Sequence, residues 1–464
     1  MKRRWIEAVI ILATTGALAL TGCGGSSYMT PPQKPVTAAI TAVQGEVRGG
    51  QQPVVGMTIQ LYAVGSSTYG SAATPVFATP LTTDSNGTFS FPVPWCPTPD
   101  MQNVYLVGTG GDPVAGNVAA GNANNNNNLA LMVALGPCST LNSSTHIHMN
   151  ELTTVAAVWA LAPFMSGNTQ SYLNIGATPT NATGLQLAFQ AATQVVNTST
   201  GTLPGPLPTG ASLPGSGAEV NTLADVLEAC INSKGGIAND GITSCGSLFG
   251  DAPSASGFPT DTITAAMNIA QNPSRNTTPL FSIASATPTF EPDLGSAPAA
   301  FTVAIQYTGN GLNAPTAIAA DQQGNVWVAN SAGSSVSEFV SNVSTFGTPQ
   351  LTNVPLGAEP AGIAIDTTGN AWLTANNDSV IEVTPGGSVG TTLTGNGLNA
   401  PTSIAIDGGG LIWVVNSGSG ANSVSAFTTG GGTVSGSPFT GAGILSPAGI
   451  AINGNANANC ADCH

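Results

Sequence analysis

One pattern limits the fold more than any other feature of the chain. Pro315-Thr-Ala-Ile-Ala-Ala-Asp321, two residues, then Gly324-Asn325-Val-Trp327-Val-Ala-Asn330 recurs as Pro360-Ala-Gly-Ile-Ala-Ile-Asp366 with Gly369-Asn370-Ala-Trp372. It recurs again as Pro401-Thr-Ser-Ile-Ala-Ile-Asp407 with Gly410-Leu-Ile-Trp413-Val-Val-Asn416, and a fourth copy begins Pro447-Ala-Gly-Ile-Ala-Ile-Asn453. The prolines lie 45, 41 and 46 residues apart. A fixed period of about 40–45 residues is that of the blades of a β-propeller. The nonapeptide TGNGLNAPT stands at Thr308–Thr316 and again at Thr394–Thr402. Two periods separate the copies, which predicts equivalent loops two blades apart.

Within each copy, Asp-x-x-Gly predicts a hairpin turn: the carboxylate accepts backbone N–H groups and the glycine takes positive φ. Ile-Ala-Ile and Trp-Val alternate as strands do and predict the packing between stacked sheets, with a sugar-stacking platform as the competing reading of the Trp series. The pattern P-x-x-I-A-I-D-x-x-G-N-x-W-V-A-N resembles the NHL repeat, in the branch near the streptogramin lyases, over residues 300–464. That resemblance implies a propeller lyase or hydrolase acting on an exported small molecule or polysaccharide, with Glu, Asp or Asn metal ligands and, for the lyases, a catalytic His. This chain departs from it. Lyase blades end W-F-T-E where this sequence has Trp327-Val-Ala-Asn330 and Trp413-Val-Val-Asn416, and the sole His of the region is His464. No catalytic residue is assigned, because the groups for acid–base work are missing. NHL propellers usually close with about six blades of this period, and 300–464 holds about four. The expectation is an incomplete propeller with exposed apolar end faces, a chain that associates through its C-terminal third, and an intact homologue running past His464.

The N-terminus reads as an export signal. Lys2-Arg3-Arg4 precede an apolar stretch from Ala8 to Leu20, too short to span a bilayer. Leu20-Thr-Gly-Cys23 resembles the bacterial lipobox, which implies acylation of Cys23 and a membrane anchor; an ordinary signal peptide with an incidental Cys is the alternative. By resemblance to enteric sorting, Gly24 in place of Asp implies the outer membrane. Residues 24–36, with PPQKP, read as a tether. The net charge is −15, and no basic residue follows Arg275. Nucleic acid is excluded as a partner, since binding it requires several cations.

Residues 37–140 read as β structure. Met57, Ile59 and Leu61 alternate with polar neighbours, as do Phe89 and Phe91 after the turn Asp84-Ser-Asn-Gly87. The stretch resembles the carboxypeptidase-regulatory-like β-sandwich, and the Asn124–Asn128 run reads as an exposed tip. Residues 145–290 read as a small α-helical domain with four amphipathic helices. Stripes at helical offsets run from Leu185 to Val196 and from Val220 to Ile231, and Glu151–Leu161 and Asp261–Ala270 complete the set. The Gly/Pro-rich 199–218 reads as a flexible linker.

Beyond Cys23, six cysteines fall in local pairs: Cys96/Cys138, Cys230/Cys245 and Cys460/Cys463. In an exported chain they suggest disulfides, although sequence alone leaves the connectivity open. Cys460-Ala-Asp-Cys463-His464 also matches the c-type haem attachment pattern, against which stands its alignment with the end of a fourth blade. His146 and His148 project to one side of an extended segment, with Glu151 as a third ligand for a divalent metal; entry to a helix is the alternative. The whole reads as an exported lipoprotein in three parts: sandwich, helical domain and NHL-type propeller. The propeller is expected to bind or scaffold a protein or glycan.

Overall fold

The computed structural model describes residues 42–93, 96, 102–113, 125–167, 173–284, 286, 288–340, 347–441 and 443–452. Cys23 with the leader and tether, and Cys460, Cys463 and His464, lie outside the described residues.

The strand Ala42–Gly49 turns Val43, Gly45, Val47 and Gly49 inward. It pairs antiparallel with Thr88–Pro92, so that Val43 and Gly45 lie opposite Phe91 and Phe89. A Cβ at Gly45 would collide with the Phe89 ring, which is why glycine sits in a strand here. On its other edge Ala42–Gly49 pairs in parallel with His146–Met149. A second sheet joins Thr58–Ala63, Asn103–Thr109 and Ala130–Pro137, with short edge pieces at Thr74–Pro75 and Leu81–Thr82. Asn103–Thr109 and Ala130–Pro137 are buried along both faces. A near-continuous apolar run of this kind needs a covering layer on each side.

That layer is helical. Among the described residues six α-helices follow: α1 (Glu151–Leu161), α2 (Ala182–Val195), α3 (Ala218–Ile231), α4 (Ser244–Asp251), α5 (Thr262–Gln271) and α6 (Thr277–Ala284). α1, α2 and α5 pack on Ala130–Pro137. The Thr154 hydroxyl of α1 accepts from Met132 N at 3.0 Å and the Thr262 hydroxyl of α5 accepts from Ala130 N at 2.9 Å. One apolar cluster runs from Val43 to Phe301 through both sheets and all six helices. The expected break between a sandwich at 37–140 and a helical domain at 145–290 is therefore absent from the core. α1 is buried nearly all round rather than along one stripe. α4 and α6 went unforeseen because each has eight residues and glycine or proline interrupts its pattern.

Two polar segments also behave differently from expectation. The Asn124–Asn128 run is an exposed tip only in part over its described residues: Asn125 and Asn127 are exposed, but Asn126 is fully buried and its Nδ2 donates to Cys230 O at 2.8 Å and Ile231 O at 3.2 Å. It thereby satisfies carbonyls that the end of α3 leaves without helical partners. The 199–218 segment packs down instead of linking freely. Leu213 joins the apolar cluster, Gly205 N donates to Val195 O at 3.1 Å, and Ala211–Ser212 pairs with Gln306–Tyr307. Both local cysteine pairs in the body are disulfides, Cys96–Cys138 and Cys230–Cys245.

Beyond Tyr307 come three four-stranded antiparallel sheets, each a meander. Blade 1 is Pro315–Ala320, Val326–Asn330, Ser335–Phe339 and Pro349–Pro355. Blade 2 is Pro360–Ile365, Ala371–Ala375, Ser379–Val383 and Val389–Thr394. Blade 3 is Pro401–Ile406, Leu411–Asn416, Ser423–Thr428 and Phe439–Thr440. The blades stack in chain order, first strand against first strand. Residues 443–452, which lead into the fourth copy, carry no strand, and among the described residues three blades are seen; the rest of the fourth copy lies outside the described residues.

Candidate functional site

The repeat builds two different ends on each blade. At one end lie the Asp-x-x-Gly turns. Asp321, Asp366 and Asp407 each accept two backbone N–H groups on Oδ1 at 2.8–3.0 Å. Gly324, Gly369 and Gly410 have φ of 83°, 87° and 80°, as that turn requires. One feature of the turn was not foreseen. The second oxygen of Asp366 accepts the indole N–H of Trp372 at 3.0 Å, and that of Asp407 accepts Trp413 at 2.9 Å. Burial alone would raise Asp366, yet the indole and turn hydrogen bonds take it below the usual carboxylate range. Asp321 Oδ2 and Asp366 Oδ2 each also take the amide of the Asn that follows the turn glycine, Asn325 and Asn370, but blade 1 differs in that Trp327 Nε1 is buried without a partner.

The opposite end carries the duplicated nonapeptide. Both copies share one backbone course, with positive φ at Gly309-Asn310-Gly311 and Ala314, and at Gly395-Asn396-Gly397 and Ala400. Each is received by the loop after the Trp strand. Asn330 Oδ1 accepts Asn313 N and Asn416 Oδ1 accepts Asn399 N, both at 3.2 Å. Ser331 Oγ and Ser417 Oγ donate to Ala314 O and Ala400 O at 3.0 and 2.9 Å. The nonapeptide and its Asn-Ser receiver are thus one device, present in blades 1 and 3. At the same end Asp378 Oδ1 of blade 2 accepts Ala400 N at the start of blade 3 at 2.7 Å, and Asn422 Oδ1 of blade 3 accepts Ser446 N of the following segment at 2.8 Å. Asn313, Glu359, Asn377, Asp378 and Asn399 are exposed there. This loop face offers amide and backbone hydrogen-bonding groups and two carboxylates.

The anticipated metal set divides. His148 Nδ1 donates to Glu46 Oε1 at 2.9 Å, and His146 Nε2 stands 3.9 Å from the same oxygen. Arg48 holds the other oxygen of Glu46 at 3.0 Å. The strand pairing that sets Glu46 beside His148 makes this contact. Burial pushes the His148 imidazole down, against the pull of Glu46. Glu151 points elsewhere: it is wholly buried in the first turn of α1, and its Oε1 accepts Gly50 N at 2.8 Å. Burial, with Glu228 and Asp225 nearby, raises it to about 8, so it is held protonated at neutral pH. Among the described residues no three of His, Cys, Asp and Glu are grouped so as to hold a metal ion. A polar cleft of about 620 Å³, lined by Glu228, Asn232, Ser244, Asp251 and Ser282, was not foreseen either. No described helix is long and apolar enough to cross a membrane.

No protein family and no curated protein matches the chain. Among solved structures it is similar to a streptogramin B lyase at 19% identity, covering 32% of this chain and 47% of the other, with a TM-score of 0.27. It is similar to the virginiamycin B lyase of Staphylococcus aureus at 24% identity, covering 25% and 39%, with a TM-score of 0.21. The WD40 repeats of RRP9 match at 13% identity, covering 28% and 40%, with a TM-score of 0.25. The chain spans less than half the length of each of these three. These neighbours are propeller-type proteins, and the likeness extends to part of the chain.

Proposed function

We propose that this is an exported, lipid-anchored protein whose blades bind or scaffold a protein or glycan ligand on their loop face. The observation that carries the reading is the loop face itself. A repeated Asn-Ser receiver holds each nonapeptide copy in place, and Asp378 and Asn422 cap backbone N–H groups of the segment that follows their blade. Such a surface is built to be rigid while it presents exposed amides and carboxylates. Its polar character, amides with two carboxylates, suits hydrogen bonding to a glycan or a polypeptide. Export is supported by the lipobox at Cys23 and by two disulfides in the body.

The test is an array of glycans and cell-surface proteins probed with the full chain. Saturable binding is expected, and it should fall at least ~10-fold in a Glu359→Ala/Asp378→Ala variant, while Asp84→Asn in the body leaves it unchanged. Binding that ignores the loop-face variant would overturn the reading. Metal-dependent turnover of a lactone or glycan would replace it with the lyase or hydrolase alternative.

A further inference from the structure

Each blade sets its tryptophan opposite one residue of the third strand: Trp327 opposite Glu338, Trp372 opposite Glu382 and Trp413 opposite Ala426. Direct neighbours of this kind share one face of the sheet and touch. In blade 2 both members are bonded, the indole to Asp366 and Glu382 Oε2 to Thr391 N at 2.8 Å. In blade 3 the indole is bonded to Asp407 and the alanine needs nothing. Blade 1 is the exception. Trp327 and Glu338 are 0% and 1% exposed, and Trp327 Nε1 and Glu338 Oε2 are both buried without a hydrogen bond. An unused donor and an unused acceptor therefore stand side by side, and Trp327 also belongs to the apolar cluster that joins blade 1 to Ile363, Ala371 and Leu373 of blade 2.

A buried carboxylate is costly unless it is paired, and little here offsets its charge. Burial and the Asp321 carboxylate act against ionisation of Glu338, and the Asn325 amide alone favours it. The flanking strands Val326–Asn330 and Pro349–Pro355 carry no ionisable side chain, and neither do residues 341–346. Tyr307, on Phe339, is kept neutral by burial. Of the acids in blade 2, Asp366 and Glu382 are engaged at the Trp372 pair, and Glu359 and Asp378 are exposed on the loop face. We propose that Glu338 is a proton-operated latch on the packing of blade 1 against blade 2: neutral, it stays in the interface, and ionised, it admits water and loosens Trp327 from blade 2. Burial and Asp321 raise Glu338 from the ordinary 4.5 to about 7. A raised folded value gives stability that is fully present below about 4.5 and is lost as pH rises through about 7. The latch is thus closed in mild acid and open in mild alkali, and blades 2 and 3 lack it.

The test uses the full chain labelled with nitrogen-15 at tryptophan, with Trp327→Phe identifying the Trp327 indole resonance. That resonance should titrate with a midpoint near 7. Those of Trp372 and Trp413 should stay flat, because their acceptors Asp366 and Asp407 are held below the usual carboxylate range. Exchange protection of Val326–Asn330 amides, corrected for intrinsic rates, should fall at least ~10-fold between about pH 5.5 and pH 8.5. Glu338→Gln should abolish both responses. Asp321→Asn keeps an oxygen for the turn N–H groups and removes the facing charge, so it should lower the midpoint; this variant tests the proposal even if Glu338→Gln does not fold. A flat Trp327 resonance, a titration that survives Glu338→Gln, a midpoint unmoved by Asp321→Asn, or equal loss of protection in all three blades would each overturn the proposal.

Discussion

The body and the blades solve the same problem in opposite ways. In the body, residues as far apart in sequence as Val43 and Phe301 enter one apolar cluster, and two sheets and six helices depend on each other for burial. In the blades, burial is local and repeated: one cluster between blades 1 and 2, another between blades 2 and 3. A repeat stack is a sum of unit and neighbour terms, so damage to it stays near the site. A single core shares its losses. The contrast says where stability is held in common and where surface is presented.

The largest effect should come from reducing both disulfides. Cys96–Cys138 closes a separation of 42 residues and Cys230–Cys245 one of 15. By chain entropy these contribute about 4 and about 3 kcal/mol. Calorimetry with and without reductant should show a lowered body transition and an unmoved blade transition. Equal movement of both would break the comparison. Next, Leu106→Ala removes a fully buried side chain from the middle of the second sheet. A loss of ~3 kcal/mol is expected, with the helices losing circular dichroism in the same denaturant range as the sheets.

Within the blades, Trp372→Phe removes an indole N–H bonded to a carboxylate, while Trp327→Phe removes one that has no partner. Denaturant melts should find Trp372→Phe more costly by ~1.5–3 kcal/mol, the worth of a hydrogen bond to a charged group. The reverse order would show that the tryptophans act by volume alone.

A further effect is pH-dependent and belongs to the body. Burial raises Glu151 to about 8 in the fold, from the ordinary value of 4.5. A raised folded pKa gives stability that is fully present below about 4.5 and is lost as pH rises through about 8. The body should therefore melt higher at pH 5 than at pH 8. Glu151→Gln should flatten that slope and raise the midpoint at pH 8 by about 5 °C. An unchanged slope would show that the carboxyl is not desolvated as described.

What the sequence made legible follows the same division. The blades could be read because their determinants recur: Asp-x-x-Gly turns, Ile-Ala-Ile strands and the nonapeptide each appear more than once. The body's cysteine pairs could be read because each pair is local. The joint core could not. The double-faced burial of Asn103–Thr109 needs knowledge of what covers it, and helices that cover it begin more than 40 residues later. Glu46 was missed beside His148 because 102 residues separate them, and only the parallel strand pairing joins them. Asn126 looked like tip material because a run of asparagines gives no sign of the helix end that one of them caps.

The central claim is that sheets and helices of the body form one cooperative unit from which the blades are energetically distinct. Native-state hydrogen exchange, followed peptide by peptide under increasing denaturant, tests it most directly. The account predicts that amides of Asn103–Thr109, α1 and α3 converge on one opening free energy, and that amides of blades 2 and 3 follow a separate one. Opening of α1 and α3 while Asn103–Thr109 stays protected would contradict it, and would restore two independent domains where one core is described.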